Sequence, residues 1–215
     1  MSSFPGSPRL LKGALVGVGL LGVLESTVVF QYNPDTMTRR LEPRNAKPEG
    51  EKGDVTRLSG PPKETITVSI EIDATDQLEQ NDVLAVATGI APTLAALELM
   101  LYPSSALVIA NTIMSALGTI EVLPAEGPLL LFVWGPTRVV PVQVTGLSIA
   151  EEAYDTLLNP LRAKVDLTLM VLSYNDLATT SLGRALFLVH QVTKEALAIS
   201  NTFSNVQNLG TALKF

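Results

Sequence analysis

The 215 residues carry a formal charge of −6, a pI near 4.8 and no cysteine. That composition excludes disulfides, zinc–thiolate sites and thiol catalysis, and it argues against a nucleic-acid partner, because phosphate binding needs a clustered positive field. The length suits one domain with a sizeable core. Apolar residues make up 47% and charged ones 17%, against roughly 25% charged in an average soluble chain. The excess apolar surface calls for a partner, either lipid or other subunits.

In chain order, Arg9 and Lys12 precede an apolar, glycine-containing stretch over 13–24. It resembles the start of a signal peptide but has no small-residue cleavage site after it, and its glycines favour a strand over a helix. Residues 28–32 read as a short strand stopped by Asn33 and Pro34, and 37–41 as a second. Residues 42–64 mix both charge signs with Pro and Gly, so they bury too little apolar area to offset ordering. The expectation is a long solvated loop, or an arm that orders against a neighbouring subunit.

Residues 65–72 alternate strictly, with Ile66, Val68, Ile70 and Ile72 against Thr65, Thr67, Ser69 and Glu71, which is a strand with one buried face. The acidic residues Asp73, Asp76, Glu79 and Asp82 lack the glycine and closing glutamate of a calcium loop, so turn and helix-start chemistry explains them. Between Val83 and Ile120 the only charge is Glu98, but Gly89, Pro92, Pro103 and Gly118 cut the run into pieces shorter than the ~20 residues of a membrane span. Ser104 as N-cap and Gly118 as terminator frame a helix over 106–117, expected to be buried on most sides. Membrane association through 83–120 is the competing reading from another class.

The runs 129–134 and 138–144, separated by Gly135, Pro136 and Thr137, predict a β-hairpin, with Pro141 marking an edge or a bulge. A short strand follows over 146–149. Glu151, Glu152, Tyr154 and Asp155 then form an exposed acidic connection, and 165–172 alternates again as a strand. The segment 181–200 predicts a helix with an inward stripe of Leu182, Ala185, Leu186, Val189, Val192, Ala196 and Ile199. On that reading Phe187 lies on the polar face, available to a neighbouring subunit, and the lone His190 is a packed or solvated imidazole. The tail over 201–215 is expected to fray.

No phosphate loop, dinucleotide fingerprint or serine elbow occurs, and His190 has no companion for metal binding or catalysis. The reading is therefore of a chain with no catalytic, metal or cofactor residues and no small-molecule substrate. The expected class is mainly β with flanking helices.

Several pieces point further, in this order: Val28-Val-Phe-Gln-Tyr-Asn-Pro, Glu71-Ile-Asp-Ala-Thr-Asp, Leu131-Phe-Val-Trp-Gly and Asn159-Pro-Leu-Arg-Ala. Over 13–175 the chain resembles the tube proteins of contractile injection systems, in particular the tube-initiator or hub-proximal members of phage-tail-like particles. The resemblance implies a tail-tube-like β-barrel of two packed antiparallel sheets over 1–175, carrying the loop 42–64 and an apolar helical insert over 83–120, with a C-terminal helix and tail over 176–215. It also implies a homo-hexameric ring of the inner tube, touching the spike or hub, further tube subunits, and baseplate or sheath proteins. Assembly would occur in the cytoplasm before release of the particle. Tube initiator and ordinary tube subunit both remain open. Candidate subunit-contact residues are Phe187, Gln31, Asn33, Arg44, Lys52, Arg57 and Trp134.

Overall fold

The computed structural model describes residues 11–19, 24–44, 58–103, 105–116 and 127–212. The chain is mainly β, with seven strands in a single antiparallel sheet and five helices among the described residues. The strands are β1 (Ala14–Val18), β2 (Leu24–Val29), β3 (Met37–Glu42), β4 (Lys63–Asp73), β5 (Leu129–Val133), β6 (Val139–Tyr154) and β7 (Pro160–Val171). They lie in the order β2-β1-β5-β6-β7-β4-β3. Two packed sheets were expected; the described residues form one open sheet, with β2 and β3 as its edges.

The sheet coils so that both ends share one core. Val28, Phe30 and Leu15 from one end belong to the same buried cluster as Ile66, Val68, Ile70 and Ile72 of β4. Just past β2, Gln31 Oε1 accepts a hydrogen bond from the Asp73 backbone N–H at 2.8 Å, at the end of β4. The alternation read in β4 and β7 holds: Ile66, Val165 and Leu169 are fully buried while Thr67 and Asp166 face outward.

The hairpin forms as expected, with Trp134 N–H donating to the Arg138 carbonyl at 2.8 Å and Gly135 at φ 75°. Pro141, however, sits on an interior strand, opposite Leu131. Its carbonyl accepts from Leu172 N–H at 2.9 Å, so its nitrogen points to the same side, past Val171, the last residue of β7 paired with β6. The donor that proline lacks therefore falls at the very end of the β6–β7 pairing, where its loss costs the ladder least. The bulges of β6 occur instead at Val144/Gly146 and beyond Glu151. That single 16-residue strand absorbs the expected short strand at 146–149 and Glu151, Glu152 and Tyr154 of the acidic segment, which are exposed, while Asp155 follows it half-buried in the turn.

The apolar run after β4 breaks into α1 (Thr75–Glu79), α2 (Val83–Thr88), α3 (Ala91–Leu99) and α4 (Ser105–Ala116). Asp82 caps α2, accepting from Leu84 and Ala85 N–H at 2.9 and 3.1 Å. Leu94 and Leu97 of α3 close the core. The expected helix over 106–117 is α4, but it is not buried: Val108, Ile109, Ile113 and Met114 are all exposed. Ser104 and Gly118, its expected caps, lie outside the described residues, as does most of the loop 42–64. Among the described residues no helix is long and apolar enough to cross a membrane.

The C-terminal helix α5 (Leu182–Ala212) runs on through most of the tail expected to fray. It packs on the sheet with the face opposite to the expected one. Phe187 and His190 are buried at 8% and 7% exposure, while Val189, Val192 and Ile199 are exposed.

Candidate functional site

Two polar clusters tie the coiled sheet together. At one end, Glu64 is the second residue of β4 and falls in phase with Ile66, so the pleat turns its carboxylate to the core side, where it is only 6% exposed. A buried carboxylate needs partners. Arg39 of β3 supplies them through Nε at 2.7 Å and Nη2 at 2.5 Å, both to Oε1. Lys194 of α5 brings Nζ to 3.4 Å from Oε2. Arg138, in the turn just before β6, feels the same field: burial, then the like charge of Arg39, hold its guanidinium below the usual range, with Glu64 pulling the other way. It remains charged at any ordinary pH.

His190 completes this cluster, with Nδ1 donating to the Thr137 carbonyl of the hairpin turn at 3.2 Å. Burial first, then the neighbouring Lys194, lower its pKa, and Arg138 adds to this. The Thr137 bond and Glu64 oppose the shift without reversing it. The ring is therefore neutral at pH 7, a packed imidazole that fixes α5 on the hairpin. The arrangement clasps β3, β4, the hairpin turn and α5 together.

At the other end, Asp73 accepts from Thr75 N–H at 2.7 Å, from the Thr75 hydroxyl, and from Arg162 Nε at 2.8 Å. Burial alone would raise its pKa, but Thr75 and Arg162 outweigh it and hold the carboxyl below its usual range. Asp73 thereby holds Thr75, the first residue of α1, and links β4 to β7 through Arg162. The adjacent groove is lined by Lys12, Gln31, Asp76, Gln80 and Thr93. Among the described residues no group of His, Asp or Glu is placed to hold a metal ion.

Gln31 binds Asp73, and Asn33 bridges the start of the described chain, accepting from Gly13 N–H at 3.0 Å and donating to the Leu11 carbonyl at 2.8 Å. Trp134 stacks on Phe132 at 5.7 Å and tilts against Phe30 at 6.5 Å. Arg44 lies 3.6 Å from Asp176. Phe187 packs edge-on against Tyr174 inside the subunit, which removes the reason for placing it at a subunit contact. Lys52 and Arg57 lie outside the described residues.

Sequence reasoning passed over Glu64, Arg39, Arg138 and Lys194. A signal existed for Glu64: a charged residue in phase with the buried alternation Ile66, Val68, Ile70. No known family model matches this chain, and no curated protein matches its sequence.

Proposed function

We propose that this chain is a structural component of a phage-tail-like contractile injection system, forming a ring of the inner tube that joins spike or hub to tube. The carrying observation is the distribution of apolar surface. A closely packed core coexists with open sheet edges at β2 and β3 and with exposed Val83, Leu84, Val86, Val108, Ile109 and Ile113 on α2 and α4. Edges and apolar helices left open in one subunit are what neighbouring subunits cover in an obligate assembly.

A second observation supports the family. The Phe-Gln-Tyr-Asn-Pro and Phe-Val-Trp-Gly pieces that carry the resemblance meet in space: Phe30, Phe132 and Trp134 form one aromatic cluster, with Phe30 and Phe132 centroids 6.3 Å apart. In this reading the coiled sheet is the tail-tube barrel of a sixfold ring, and the chain performs no reaction. Native mass spectrometry and electron microscopy of the purified chain, alone and with tube and spike proteins, test it. Hexameric rings that cap the tube are expected. A protein that stays monomeric at high concentration and binds no tube or spike component would sink the proposal. Copy number in the particle separates the initiator, present as one ring, from an ordinary tube subunit, present as many.

A further inference from the structure

Helix α5 carries two seams. Gly183, Phe187, His190 and Lys194 face the sheet and the Glu64 cluster. The other seam is Leu182, Ala185, Val189, Val192, Ala196, Ile199, Phe203 and Val206, and every one of these residues is exposed. Its spacing alternates three and four without a break. That is the 3.5-residue period of a coiled-coil seam, and a surface that follows it over three heptads is shaped for another helix. Residues 195–203 are exposed on all sides, so this part of α5 has left the sheet, and a free helix of that length is marginal in water. Leu197, on the opposite face, stays outside the seam.

We propose that this seam pairs with the same seam of a second copy, antiparallel, about a two-fold axis near Lys194. Side-chain volume carries the choice. Antiparallel pairing sets Leu182 against Val206, Ala185 against Phe203, Val189 against Ile199 and Val192 against Ala196, so the smallest seam residue meets the largest. Parallel pairing would set Phe203 against Phe203 and leave a void between two Ala185 methyls. Charge permits it: of the flanking residues Leu186, Leu188, Thr193, Glu195, Ser200 and Thr202, only Glu195 is charged. Near the two-fold, Glu195 approaches its own counterpart, so the dimer tightens as salt rises. The eight seam side chains cover on the order of 700 Å² per copy, close to the roughly 800 Å² per partner of a stable interface. A self-pairing two-fold contact is distinct from the head-to-tail contacts of a ring, so this inference stands or falls apart from the function proposed above.

The test uses the full chain. Light scattering on a sizing column should show a concentration-dependent doubling of mass, of single chains or of whole rings, that strengthens in salt, and Val192→Glu should weaken it at least 100-fold without altering the melting of the folded subunit. The chain has no cysteine, so single introduced thiols report register. Mixing Leu182→Cys with Val206→Cys should give a disulfide between the two variants, and neither alone should cross-link efficiently. Self-cross-linking of each variant alone would mean a parallel pair and overturn the proposal. So would a monomer at all concentrations, an oligomer indifferent to Val192→Glu, or a free monomer whose binding to a tube or spike protein is lost in Val192→Glu.

Discussion

Phe187 meets Tyr174 edge-on, with ring centroids 5.9 Å apart and planes at 74°. The contact is also flanked by Arg184, whose guanidinium lies 5.8 Å from the Tyr174 ring and donates to the Tyr174 carbonyl at 2.7 Å. Together they seat the first turns of α5 on the chain that leaves β7. Phe187→Ala is therefore expected to destabilise the folded subunit by about 3–5 kcal/mol through cavity formation. Val189→Ala, on the exposed side, should change it by less than about 0.5 kcal/mol. Urea unfolding at a concentration where the protein is monomeric separates the two.

Glu64 should outweigh its partners. Glu64→Ala leaves Arg39 and Arg138 facing each other without the carboxylate, a loss of about 3 kcal/mol or more for breaking a buried pair. Lys194→Ala removes a cation that is 41% exposed, and should cost no more than about 1 kcal/mol. Equal losses for the two variants in denaturant titrations would show that Glu64 is solvated rather than buried.

His190 gives the pH dependence a sign. Its folded pKa lies below the unfolded value of about 6.5, so as pH falls below that value the unfolded chain takes up the proton first. The contribution is full above the unfolded pKa and is lost as pH falls through the folded one. Melting temperature should therefore drop as pH is lowered below about 6.5, and His190→Gln should flatten that part of the profile. Asp73 acts at lower pH with the same sign, because its depressed folded pKa makes its contribution disappear as the carboxyl protonates.

Gly89 and Gly135 both have positive φ, at 57° and 75°, but their surroundings differ. A Cβ on Gly89 would stand 2.1 Å from the Pro160 carbonyl oxygen, which also accepts from Ile90 N–H, whereas a Cβ on Gly135 meets nothing within 4 Å. Gly135→Ala should cost about 1–2 kcal/mol of backbone strain. Gly89→Ala adds a clash with backbone and should cost clearly more, in thermal melts of the two variants side by side.

Sequence alone determined the strands with one wet face. The period-two pattern of β4 and β7, the hairpin turn at Gly135 and the helix start at Asp82 are local, because each is set by residues a few positions apart. It did not determine which face of α5 meets the sheet. That helix has an apolar stripe at Leu182, Val189, Val192 and Ile199, and a second, weaker one at Phe187 and His190. Counting apolar residues favours the first. Tertiary structure chose the second, because Phe187 packs edge-on against Tyr174, and because His190 and Lys194 find Thr137 and Glu64, 53 and 130 residues away in sequence. The clasp of Arg39, Glu64, Arg138, His190 and Lys194 likewise exists only once the sheet has coiled, since no local pattern links charges so distant along the chain.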